Sequence, residues 1–103
     1  MNQWEIYTWD GHPAVIVSHP LRVARKESVN VLSCTTHRGV RRPEPHEVVL
    51  DRADGLDWET LCRCDILYAV EKKNLTQRRG LVTPLRRQSI VACAIASLGW
   101  QRS

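Results

Sequence analysis

Short alternating or β-branched runs fill most of this chain, and a single helical periodicity closes it. Glu5 to Trp9 places the bulky β formers Tyr7 and Trp9 on alternate positions and predicts a first strand. Asp10-Gly11 marks a turn. Ala14 to Ser18 is a continuous β-branched run, which predicts a second strand buried on both faces. So few residues join the two that they read as a hairpin. Leu21 to Glu27 is polar and basic and reads as one helical turn inside a loop. Val29 to Cys34 predicts the third strand, with Thr35 and Thr36 just beyond its end, and His46 to Leu50 predicts the fourth. Asp54-Gly55 signals another turn. Thr60 to Val70 reads as one central strand around which the other elements are arranged. Glu71 to Leu75 suggests a helical turn, and Gly80 to Val82 a last short strand.

Thr83-Pro84 is a helix start, with an N-cap hydroxyl followed by proline at the first helical position. The helix is expected to run to about Leu98 and to stop at Gly99. Val91, Ala94, Ile95 and Leu98 recur at helical spacing, and Leu85 and Ile90 widen that apolar face. Arg86 and Arg87 lie in the first turn, where the helix dipole disfavours cations. That placement marks an anion site, an acidic partner, or a tolerated mismatch. About six short strands and one long helix predict a mainly β domain: a small, strongly bent sheet or barrel with the helix packed against it.

At 103 residues the chain fits one domain, residues 1–103. No run is long and apolar enough to span a membrane. The opening Met1 to Ile6 has no basic head followed by an apolar stretch, so the expected location is the cytoplasm. The formal charge is +4, and the basic residues are mostly arginine, whose forks match phosphate oxygens. A basic excess favours nucleic acid or an acidic protein as partner. Cys62 and Cys64 form C-x-C, with Cys34 and Cys93 far away in sequence, which is not metal-finger spacing. These four are expected as small buried hydrophobes, with no metal and no cofactor.

Candidate chemistry lies in three places. Arg63 and Asp65 are two residues apart on an expected strand and share a face, with Cys62, Cys64 and Ile66 on the other. They form either an ordinary surface ion pair or an acid/base pair in a basic cleft. Thr35, Thr36, His37 and Arg38 follow the third strand with hydroxyls, an imidazole and a guanidinium, the groups a phosphate or sugar contact uses. Arg41 and Arg42 extend this into a proline-punctuated basic loop. His12, at the start of the second strand, is either a general acid or base near neutral pH or an exposed turn histidine.

The order of these pieces resembles the PemK/MazF family of toxins from bacterial toxin–antitoxin pairs. Glu5-Ile6-Tyr7 looks like the family's opening strand. His12-Pro13-Ala14-Val15-Ile16-Val17-Ser18 looks like its Arg-Pro-Val-Leu-Val-Val-Ser strand, and Leu32-Ser33-Cys34-Thr35-Thr36 like its Pro-Leu-Thr-Ser strand end. Gly55-Leu56 through Arg63-Cys64-Asp65 to Ala69-Val70 resembles the segment carrying Arg-Cys-Asp in the Kid/PemK branch. The resemblance implies a Src-homology-3-like β-barrel with a C-terminal helix, the CcdB/PemK/MazF fold. It also implies an endoribonuclease, or mRNA interferase, that cuts single-stranded RNA without metal through 2′-OH attack. The implied partners are RNA, a cognate antitoxin protein and a second copy in a homodimer. Asp65 is then the base, Arg63 the acid or phosphate clamp, and Thr35 a contact to the reacting phosphate. Thr36, His37, Arg38, Arg41 and Arg42 become the RNA-binding set.

Two departures stand out. The first hairpin loop is cut to Asp10-Gly11, and His12 replaces the arginine that usually precedes the proline. His12 is therefore a candidate acid. Two other functions share the fold. A CcdB-like gyrase poison needs a C-terminal Trp-Gly, whereas this chain has Gly99-Trp100. A barrel that has lost catalysis would bind RNA or an antitoxin only.

Overall fold

A computed structural model describes residues 1–36 and 42–100. The chain runs β1 (Glu5–Trp9), β2 (His12–Ile16), α1 (Pro20–Arg25), β3 (Ser28–Thr36), β4 (Glu47–Leu50), β5 (Thr60–Arg63), β6 (Tyr68–Glu71), β7 (Thr76–Leu81) and α2 (Pro84–Ser97). One antiparallel sheet takes the order β4-β5-β3-β2-β1-β7, and β6 pairs with β3. The expected mainly β fold with one long C-terminal helix is what forms. The sheet path is open, and its curl is strong. The rings of Trp9 on β1 and Tyr68 on β6 meet with centroids 5.0 Å apart, although neither strand neighbours the other.

Asp10 and Gly11 both adopt positive φ, at 51° and 78°, and join β1 to β2 in the tight turn the sequence predicts. The β-branched run of β2 is buried on both faces. Val15 joins Ile6, Leu32, Cys34, Cys62, Cys64 and Ile90 of α2 in one core. Ala14 and Ile16 join Val29, Val31, Val70 and Val23 of α1 in a second, on the opposite face. Alternation along the strands builds the two cores from one sheet.

The stretch Thr60 to Val70 is not one central strand. β3 is the hub, with β2 on one edge and both β5 and β6 on the other. Between the pairs Cys34–Cys62 and Val31–Tyr68, two residues of β3 face five of the opposing segment. The three extra residues form a wide bulge that breaks the ladder. An odd insertion also reverses alternation. Cys62 therefore points into the first core and Val70 into the second. Ile66, expected to be buried behind the strand, lies at the bulge and is 36% exposed.

Helix α2 begins at Pro84, as the sequence predicts, but the Thr83 side chain makes no capping bond. Its backbone N–H donates instead to Asp54 Oδ1 at 2.9 Å. Arg86 is tied to two carboxylates, Asp51 and Asp54, which offset its position against the helix dipole. The expected apolar face is turned by about one residue position, roughly 100°, so that its Ile90 and Ala94 edge faces the core. Ile90 is the buried residue, with Cys93 and Ala94 packed beside it, while Val91 and Ile95 are 45% and 37% exposed. Cys34, Cys62 and Cys64 are buried free thiols, and Cys93 is half-buried. Mutual hydrogen bonding among them, with burial, holds the Cys62 and Cys64 thiols well above the ordinary range.

Candidate active site

The bulge after β5 positions Arg63 and Asp65. Arg63 donates from Nε to Asp65 Oδ1 at 3.2 Å and from Nη2 to Oδ2 at 2.9 Å, a two-pronged fork. Both side chains are partly open, 39% and 27% exposed. The Arg63 fork holds the Asp65 carboxyl below its usual range, and the Asp65 carboxylate holds the Arg63 proton more tightly. Tyr68 and Glu47 add to the field at Arg63. At neutral pH the site is thus an ionised carboxylate beside a fixed cation.

Strand register places the other candidates. Thr35 pairs with Leu61 on β5, and its side chain is exposed. It lies inside β3 rather than beyond its end. Ser33 and Arg63 are the first residues on each strand beyond the last pair, Cys34–Cys62. Ala14 pairs with Ser33, so two residues further His12 comes abreast of Thr35. By alternation His12, Thr35, Ser33 and Arg63 all project from one face. Two strand spacings and two residues of rise put His12 and Arg63 roughly 12 Å apart along the backbone. The structure brings Arg63 and Asp65 into contact; Thr35 lies on the same face, paired with Leu61 two residues before Arg63, and His12 shares that face two strands away. Thr36 points to the opposite face and accepts a 3.4 Å hydrogen bond from Nε1 of Trp58. Arg42 is exposed. His37, Arg38 and Arg41 lie outside the described residues.

Two groups escaped the sequence. Ser33 is one alternation away from Thr35, a signal that period-2 counting holds. His46 heads the fourth strand and carries no motif. Yet its carbonyl accepts the Cys64 N–H at 2.8 Å, and it lines a shallow cavity with Pro45, Asp65, Ala96 and Ser97. Its charge is among those that favour the ionised form of Asp65.

No protein-family model and no curated protein matches the chain. Solved structures do. An endoribonuclease from a mycobacterial species is 26% identical over 96% of this chain and 91% of its own, with a TM-score of 0.83. A mycobacterial endoribonuclease in complex with its cognate antitoxin is 24% identical over 100% and 99%, with a TM-score of 0.84. The Mycobacterium tuberculosis toxin MazF-mt6 is 19% identical over 92% and 94%, with a TM-score of 0.78.

Proposed function

We propose that this chain, a member of the PemK/MazF toxin family, is a metal-independent endoribonuclease that cuts single-stranded RNA and is restrained by a cognate antitoxin protein. The observation that carries the reading is the Arg63–Asp65 fork, half open at a kink in a sheet whose fold is that of named endoribonucleases. The gyrase-poison alternative is not favoured by these neighbours.

The chemistry follows from the pair. Asp65 is ionised and takes the proton from a ribose 2′-OH. The 2′ oxygen then attacks the adjacent phosphorus, and the P–O5′ bond breaks to leave a 2′,3′-cyclic phosphate and a 5′-OH. Arg63 keeps its proton and therefore acts by charge, neutralising the phosphorane oxygens as they gain negative charge. Thr35 and Ser33 supply hydroxyls to non-bridging oxygens. His12, two strands off, is placed for the next phosphate along the strand. Single strands suit this mechanism because unstacked nucleotides reach the in-line geometry. The basic segment with His37, Arg38, Arg41 and Arg42 is read as the contact for RNA, or for an acidic antitoxin segment that competes with it; Thr36 joins this set only through the sequence, since its side chain faces Trp58.

We read residues 1–103 as one toxin domain working in the cytoplasm as a homodimer; no helix among the described residues is long and apolar enough to cross a membrane. The test is cleavage of a long mixed-sequence RNA by purified protein in EDTA, beside the Asp65→Ala variant. Cuts at defined sites, ending in cyclic phosphate and lost in the variant, are expected. RNA binding without cleavage by the folded parent would support a barrel that has lost catalysis.

A further inference from the structure

The reaction needs a proton for the departing 5′ oxygen, and neither member of the fork provides it. Asp65 is ionised, and Arg63 holds its proton more tightly than a free guanidinium does. His12 is roughly 12 Å from Arg63 along the sheet. The described structure brings a different imidazole to Asp65.

His46 stands at the head of β4, next to Glu47, which pairs directly with Arg63. Its backbone is fixed from several directions. The Cys64 N–H, between Arg63 and Asp65, donates to the His46 carbonyl at 2.8 Å. Cys93 Sγ on α2 meets the Pro45 carbonyl at 3.3 Å, and Glu47 N–H closes the turn onto the Glu44 carbonyl at 2.9 Å. Prolines at 43 and 45 stiffen the approach. His46 and Asp65 then line one solvent-open cavity between the start of β4 and the last turn of α2. Its far wall is Ala96 and Ser97, small side chains that leave room for a phosphodiester.

We infer that His46 is the general acid of the cleavage reaction, with Asp65 as its complementary base; the assignment rests on the ribonuclease reading above. The step balances. The 2′-OH gives its proton to the Asp65 carboxylate, the O2′–P bond forms and the P–O5′ bond breaks. The departing O5′ takes a proton from the His46 imidazolium. Asp65 ends protonated and His46 neutral. Transfer of that proton from Asp65 to His46, directly or through cavity water, restores both groups for the next turnover. Both residues line the same cavity, so the reset stays within it.

The discriminating substrate is RNA in which sulfur replaces the 5′ bridging oxygen at the cleaved linkage. A thiolate departs without being protonated, so a general acid becomes unnecessary. With ordinary RNA, His46→Gln is expected to lower kcat by about 100-fold or more, the usual contribution of a positioned acid. With the sulfur-bridged RNA the same variant is expected to fall within tenfold of the parent. His46→Asn serves as a second variant, with circular dichroism as the folding control for each. Equal losses on both substrates, or ordinary RNA cleaved within threefold of the parent, would overturn the assignment. A parent that cleaves neither substrate overturns the ribonuclease reading itself.

Discussion

Asp54, whose side chain is wholly enclosed, accepts a 2.5 Å hydrogen bond from Arg86 Nη1 and a 2.9 Å one from the Thr83 N–H. It also accepts the Asp51 N–H at 3.0 Å. The turn at residues 52–54 is thereby clamped to the first turn of α2. The same helix supplies, three turns later, the wall of the cavity beside Asp65. The clamp thus ties the start of the helix whose last turn lines that cavity.

Removing the cation from this clamp strands a carboxylate in the interior. Arg86→Met is expected to cost about 3–5 kcal/mol, the usual penalty for breaking a buried pair from one side. The double variant Arg86→Met with Asp54→Leu should recover part of that loss, because the enclosed carboxylate is then gone and only Asp51, which is partly open to solvent, loses its cation. Urea titrations of the parent and both variants check this. A single variant as stable as the parent would mean the clamp does not hold the helix.

Asp51 gives the clamp a pH dependence. The Arg86 guanidinium, helped by the Ala53 N–H, lowers its carboxyl to about 2. A depressed carboxylate contributes stability that is complete above its unfolded value, about 4. That contribution is lost as pH falls towards the folded value. Stability of the parent should therefore decline between about pH 4 and pH 2 more steeply than that of Asp51→Asn. The gap between the two proteins should be largest near neutral pH and close in acid. Thermal melts across this range measure it, and a gap independent of pH would contradict the assignment.

Two glycines separate backbone conformation from space. Gly11 sits at φ 78° in the hairpin turn with open space where a Cβ would go. Gly80 on β7 is packed against the backbone of the 52–54 turn, and a Cβ there would fall 2.0 Å from the Asp54 carbonyl oxygen. Gly11→Ala should cost only the left-handed strain, about 1–2 kcal/mol. Gly80→Ala should cost at least about 3 kcal/mol, the upper range of overpacking, because backbone and not a flexible side chain must move. Denaturation midpoints of both variants test the ordering.

The hairpin, the doubly buried second strand, the helix start and the Arg63–Asp65 contact were all legible in the sequence, since each depends on neighbours within a few residues. What was hidden is non-local. Three inserted residues turn the Thr60–Val70 run into two strands, and an apolar run looks the same with or without a bulge. Arg86 in a helix's first turn reads as misplaced until Asp51 and Asp54 arrive from another element. His46 joins Asp65 only because β4 pairs with β5, a pairing no short window contains.

The same limit applies to helix α2, and it supports the proposed homodimer. The periodicity marks Val91, Ala94, Ile95 and Leu98 as core, flanked by Leu85 and Ile90; the sheet takes Ile90 and Ala94 with Cys93 and leaves Val91 and Ile95 partly exposed. Val91 and Ile95 lie one turn apart on a stripe beside the buried row, and Leu67, Trp100 and Trp4 border the same groove. Leu85, at the helix start, is 74% exposed. An apolar stripe of this kind is uncommon on a monomer unless something covers it. If a second copy does so, Ile95→Glu places a charge in the contact and should convert the dimer to monomer while leaving the melting of the isolated domain nearly unchanged, because surface changes outside special sites stay within about 0.5 kcal/mol. Sedimentation velocity of the parent and the variant at equal concentration reads this directly. A parent that sediments as a monomer at every concentration would remove the dimer. A variant that remains dimeric would move its interface to another face of the sheet.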